Sequence, residues 1–245
     1  MTSKTAVVTG AGSGIGAATA RALTEAGFKV FCMGRRADRI SAIAEEIGGI
    51  AVVGDVTNLD DVSSMASQVG GQLNVLVNNA GGAIGLDPVV DSNPQDWRDM
   101  FESNVIGTLN VTKALVGALE ASGDGVIINM GSIAGHLAYE GGSGYTAAKH
   151  AVAVMTETLR LELNGKPIRI CEIAPGMVKT EEFSLNRFKD QQKADAVYAG
   201  VEAPLLAEDI ADAVTWVATR PAHVNIDLMT IKPVAQAAPH KVARK

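Results

Sequence analysis

The sequence predicts an α/β fold, with residues 1–245 forming a single domain around a doubly wound, seven-stranded, mostly parallel sheet with helices on both faces. Three observations predict it. Short β-branched runs alternate with longer stretches of helical periodicity along the chain. The 47% hydrophobic content is mostly Ala, Val, Ile and Leu, with only 4% aromatic, which suits buried parallel strands covered by helices. The unusual residues, among them a glycine cluster, an arginine pair and a Pro-Gly, fall just past the strand-like runs, where such sheets bind ligands.

Taken in order, Thr5 to Thr9 is a strand, Gly10-Ala11-Gly12-Ser13-Gly14-Ile15-Gly16 a turn, and the following helix runs to Ala26, closed by Gly27. Lys29 to Met33 is the second strand, ending in Gly34-Arg35-Arg36, and the next helix carries Ile40, Ile43, Ala44 and Ile47 on one face. Ile50 to Val53 is the third strand, ending at Gly54-Asp55, and Asn58 caps a helix with Asp60 and Asp61 in its first turn. Leu73 to Val77 is the fourth strand and leads into Asn78-Asn79-Ala80-Gly81. A long helical stretch from Pro94 to about Ala121 carries Asn104 in its middle, where propensity disfavours it. Val126 to Met130 is the fifth strand, with Ser132 just beyond it. Ser143 to Leu163 is a helix, Ile168 to Ile173 the sixth strand, and Ala174-Pro175-Gly176 its end. Residues 177–204 read as short helices over a site, because the stretch is too long for a plain loop. Ala207 to Ala218 is helical, Asp227 to Ile231 is a seventh strand, and 232–245 is a tail.

Composition excludes several classes. A net charge of -6 with no basic run argues against nucleic acid, and no apolar run approaches the roughly 20 residues that span a bilayer. The first residues carry no secretory pattern, which makes the cytoplasm the expected compartment. Cys32 and Cys171 sit in apolar strand-like runs, and no metal-ligand spacing exists, so no metal is expected. Met33, Met65, Met100, Met130, Met155, Trp97 and Trp216 read as packing. His136 reads as an incidental surface residue, and Asp60-Asp61 and Glu181-Glu182 as solvated charge.

The chemistry lies at the strand ends. Gly10, Gly14 and Gly16 let a pyrophosphate approach a helix N-terminus, whose free N–H groups and dipole favour anions. The G-x-G-x-x-G pattern is not matched, because Ile15 stands where its third glycine would be. Past the second strand stand Arg35 and Arg36 where an NAD site would place a carboxylate, and two guanidiniums can clamp a 2'-phosphate, which favours NADP. Tyr145 and Lys149 lie one helical turn apart, so an ammonium stands near a phenol and can poise it to trade a proton with a substrate hydroxyl. Ser132, thirteen residues before Tyr145, can hydrogen-bond the same oxygen.

T-G-x-x-x-G-I-G at Thr9 to Gly16, N-N-A-G at Asn78 to Gly81, Asn104, Ser132, Y-x-x-x-K at Tyr145 to Lys149 and P-G at Pro175-Gly176 together resemble the short-chain dehydrogenase/reductase family, a Rossmann-like fold, over essentially the whole chain. The resemblance implies a catalytic tetrad of Asn104, Ser132, Tyr145 and Lys149. Tyr145 would be the acid/base and Ser132 would orient the substrate carbonyl. Lys149 would lower the tyrosine pKa and hold the nicotinamide ribose, and Asn104 would keep a water in a proton relay. It also implies NADP contacts at Gly10, Ser13, Gly14, Ile15, Gly16, Gly81, Pro175 and Gly176. Asp55 and Val56 would meet adenine, Asn79 would stand beside the cofactor, and Val178 and Thr180 would meet the nicotinamide amide.

Glu182 to Lys189, Pro221 to Ile226 and Pro233-Val234 are similar to the NADP-dependent 3-hydroxy acid dehydrogenases that oxidise serine and L-allo-threonine, which implies a homotetramer. On that reading residues 177–204 cover the substrate and Arg187 binds its carboxylate, unless it pairs with Glu181 or Glu182. A reductase of a bulkier ketone shares every motif except the cover. A non-catalytic dinucleotide sensor needs the glycine turn but not the proton relay, so the intact tetrad counts against it.

Overall fold

The computed structural model describes residues 4–245. Seven strands lie parallel in the order β3-β2-β1-β4-β5-β6-β7: β1 Thr5–Thr9, β2 Lys29–Gly34, β3 Ile50–Val53, β4 Val75–Asn78, β5 Gly125–Met130, β6 Ile168–Pro175 and β7 Leu228–Ile231. Crossovers between parallel strands need long connections. Helices α1 Gly14–Glu25, α2 Ala37–Ile47, α3 Leu59–Val69, α4 Pro94–Phe101, α5 Gly107–Ala121 and α6 Ser143–Glu162 supply them, with α7 Phe183–Phe188, α8 Gln191–Ala196 and α9 Ala207–Ala218 following β6.

The two faces of the sheet bury separate cores. Val8, Val30, Val77, Ile128 and Ile173 pack with Leu23 and Val214 under α1 and α9, whereas Val7, Phe31, Leu76, Ile127 and Ile170 pack with Met65 and Leu115 under α3 and α5. Alternation along each strand explains the division, since neighbouring side chains point to opposite faces. Cys32 and Cys171 are buried in the first of these cores. Asn58 caps α3 as expected, its side chain accepting from Asp60 and Asp61 N–H.

Several boundaries move. β4 begins at Val75 rather than Leu73, and β6 runs on to Pro175 because Gly176 N–H continues its pairing with Ile231. The stretch from Pro94 to Ala121 is not one regular helix: residues Glu102–Ile106 form a π-turn between α4 and α5. Trp216 is 43% exposed on α9 beneath the Arg220 guanidinium, and Met155 is only partly buried, so neither is a core filler. The tail is ordered. Gln236–Ala238 and Lys241–Val242 pair as antiparallel β8 and β9, and buried Gln236 accepts the Met177 N–H at 2.7 Å.

Residues 177–204 leave the sheet as a cover pinned at its base. Val178 and Leu205 form a parallel bridge, with Lys179 N–H and Leu205 N–H donating to Leu205 and Met177 carbonyls. Arg244 from the tail donates to the Val197 and Ala199 carbonyls, which ties the far end of the cover to the chain terminus.

Candidate active site

The carboxyl ends of the strands open into one cleft of about 1530 Å³. Ser132, Tyr145, Lys149, Arg187 and every expected cofactor residue line it, and Asn104 alone does not. Asn104 lies directly behind the wall, buried in the π-turn, with Nδ2 donating to the Gly82 and Met100 carbonyls. Its Oδ1 is buried without a hydrogen-bond partner. A π-turn fits this residue, because its side-chain amide bonds a carbonyl that the widened helix leaves free.

The glycine turn fits a dinucleotide phosphate. Gly10 has φ +66°, and a Cβ on Gly16 would overlap the Gly10 carbonyl, so the backbone folds back tightly and leaves the start of α1 open to the cleft. Asn79 Nδ2 donates to the Thr9 carbonyl at 2.9 Å, and Thr9 Oγ1 accepts the Asn79 and Ala80 N–H groups, so β4 braces the turn that ends β1. Arg35 stands open to solvent with Asp55 3.7 Å away. Arg36 makes a bidentate pair with Glu182, so a carboxylate of the cover holds its guanidinium. Glu182 is therefore not solvated charge, and Asp61 is not either, since it accepts the Asp55 N–H. Glu181 is exposed as expected.

Tyr145 is buried, and burial pushes its hydroxyl up to about 12, with a hydrogen bond from Ser132 and the Arg187 charge opposing the rise. Lys149 is 5.8 Å from the Tyr145 ring centroid, but its ammonium is turned to the Met130 carbonyl at 2.8 Å. Burial brings Lys149 down to about 8. Arg187, whose guanidinium carbon lies 5.8 Å over the ring, is a second cation that favours phenolate, and desolvation outweighs it.

Arg187 pairs with neither Glu181 nor Glu182. Its Nε donates to the Gly85 carbonyl at 2.8 Å and its Nη atoms reach the Tyr139 hydroxyl at 3.3 Å. Phe183 stands edge-on to Tyr145 with ring centroids 5.9 Å apart, so α7 covers the phenol with an aromatic edge and a cation.

His136 is not incidental. Its Nε2 lies 3.0 Å from Oε1 of Glu172, a carboxyl on β6 that is 3% exposed and fills the space a Cβ on Gly131 would need. Burial raises the Glu172 carboxyl, and the nearby His136 and Lys149 charges oppose the rise. A Glu inside the apolar run Ile168 to Ile173 was the available signal, since buried carboxyls are rare without a partner.

A family model described as short chain dehydrogenase matches residues 4–191. The chain is 55% identical to an uncharacterized oxidoreductase of Mycobacterium tuberculosis, over 96% of this chain and 93% of that one. It is 40% identical to an NADP-dependent 3-hydroxy acid dehydrogenase of Salmonella typhi, over 94% and 95% of the two chains. The solved closed form of a serine dehydrogenase complexed with NADP+ superposes with a TM-score of 0.91 at 36% identity, covering 98% of this chain and 99% of that one.

Proposed function

The chain belongs to the short-chain dehydrogenase family, and from that premise we propose that it is an NADP-linked dehydrogenase of small 3-hydroxy acids of the serine, L-allo-threonine or 3-hydroxyisobutyrate type. NADP would be held by the glycine turn with Arg35 and Arg36, with Asp55 and Val56 on the adenine side and Val178 and Thr180 on the nicotinamide side; it supplies the hydride acceptor. The protein's own task is the oxygen. Ser132 fixes the substrate hydroxyl and Tyr145 takes its proton. Lys149 passes that proton on, and the unpartnered Asn104 Oδ1 is placed to hold a water beyond it.

The observation that carries the substrate class is Arg187. A cation over the Tyr145 ring is within reach of a carboxylate two carbons from the reacting one, and its bonds to Gly85 and Tyr139 fix its direction. NADPH formation with L-serine, L-allo-threonine and 3-hydroxyisobutyrate tests it. The expected result is turnover of at least one; turnover confined to bulky ketones overturns the class.

The same reading takes residues 1–245 as one cofactor-binding domain acting in the cytoplasm as a homotetramer. Among the described residues no helix is long and apolar enough to cross a membrane. Leu109 on α5 and Val154 and Leu161 on α6 are exposed, which supports self-association, and light scattering on the eluted protein gives the mass that decides it.

A further inference from the structure

The ends of β1 and β2 and the start of the cover meet in one ionic cluster. Arg36 Nη1 and Nη2 donate to the two carboxylate oxygens of Glu182 at 2.7 and 2.6 Å. Ser13 Oγ donates to Glu182 Oε2 at 2.8 Å, and Arg36 Nη2 reaches Ser13 Oγ at 3.2 Å. Ser13, Arg36 and Glu182 stand immediately before α1, α2 and α7, and none of the three side chains is spent on capping its helix. A forked guanidinium with a hydroxyl beside it is a donor set for any anion that offers two oxygens, a phosphate monoester as readily as a carboxylate.

We propose that Glu182 is a specificity-determining residue, an internal anion that occupies the donors needed by the cofactor's 2'-phosphate and is displaced when the cofactor binds. The inference rests on the proposed function, in which the arginine pair Arg35 and Arg36 holds the cofactor, and it places the 2'-phosphate at Arg36 beside Ser13. Two anions cannot share one fork without repulsion, so the Glu182 pair and the 2'-phosphate are alternatives. Their exchange is felt at the reacting end. Glu182 precedes Phe183, whose ring edge lies on Tyr145, and the same short helix carries Arg187. Displacing Glu182 unties the corner of α7 nearest the cofactor, while the bond from Arg187 to the Gly85 carbonyl holds the other end. The adenosine end of the cleft thereby reports to the cover over the substrate before any substrate is present.

The test uses calorimetric titration of the whole protein with 2',5'-ADP and with 5'-ADP, which differ by the 2'-phosphate alone. Because Arg36 is half exposed, the pair is partly screened and the effect is moderate. Glu182→Gln is expected to tighten 2',5'-ADP roughly three- to tenfold and leave 5'-ADP unchanged. Unchanged or weakened 2',5'-ADP binding overturns the proposal, a weakening meaning that Glu182 steers Arg36 toward the phosphate instead of competing for it. Arg36→Gln in the same titration separates the two failures: if it leaves the preference for 2',5'-ADP intact, the placement of the phosphate is wrong, and if it abolishes the preference while Glu182→Gln does nothing, the placement stands and the competition falls. Thermal melting of each variant confirms that the native fold is being titrated.

Discussion

Tyr145 is held between a floor and a cover that are built differently. In the floor, Ser132, Lys149 and Asn104 are buried, and each bonds main chain: Ala134 N–H to Ser132, Lys149 to the Met130 carbonyl, Asn104 to Gly82. In the cover, Glu182 stands just before a six-residue helix that carries Phe183 and Arg187; Arg187 shares main-chain bonds with Gly85, whereas Glu182 is attached through a side-chain pair with Arg36 that solvent reaches. Main-chain attachments cannot be exchanged for a ligand without unfolding the strand ends, whereas side-chain pairs can. The floor therefore sets which reaction is possible, and the cover sets which molecules enter it.

The largest effect expected from breaking the floor is on rate. Tyr145→Phe should lower turnover by roughly 10³-fold or more, while fluorescence titration still shows NADP binding, because the acid/base is lost and the glycine turn is untouched. Substantial residual turnover would transfer the proton chemistry to another group.

Lys149→Met separates function from stability within the same floor. The folded pKa of about 8 lies below the unfolded value of 10.5, so below pH 8 the folded state bears the cost of a buried charge that the unfolded state does not. The variant should be inactive yet stabilised below pH 8 by up to roughly 3 kcal/mol, less what the bond to Met130 contributes. That gain should shrink as pH rises from 8 to 10.5, where the folded wild type sheds its proton first. Urea melts at pH 7 and pH 10 check the sign, and a gain that grows with pH would contradict it.

In the cover, Arg187→Ala should raise KM for 3-hydroxy acids by roughly 10- to 100-fold with a smaller change in kcat, as removal of a charged binding contact does. Unchanged KM would leave the carboxylate without a partner and end that assignment. The smallest effect belongs to the tail. Gln236→Ala removes one buried acceptor for the Met177 N–H at the base of the cover and should cost about 1 kcal/mol of stability, seen as a modest fall in Tm.

The two layers were also unequally legible. Periodicity placed the first six strands within a few residues, and the glycine turn, Ser132, Tyr145 and Lys149 follow from local spacing, since a strand end and one helical turn bring them together. The pairs that cross the chain were not readable. Arg36 and Glu182 are 146 residues apart, and although Glu172 interrupts an apolar strand, nothing local to it names His136 as its partner. The strands β8 and β9 are three and two residues long, below the length at which alternation carries a signal. Spacing puts Tyr145 and Lys149 on one face but does not say that the ammonium reaches the Met130 carbonyl.

The π-turn at Asn104 amounts to one surplus residue inside a helix that otherwise runs from Pro94 to Ala121. Each residue turns an α-helix by about 100°. The surplus lets α4 face α6, where Trp97 and Met100 approach Gly144, while α5 keeps its own face on β4, β5 and α3. The helix is in this sense out of frame with itself, and Asn104 is the residue at the frameshift. Striking one residue from 102–106 would restore a regular helix at the expense of turning one of those faces away from its partner, so the length of this segment is as constrained as any side chain in the site.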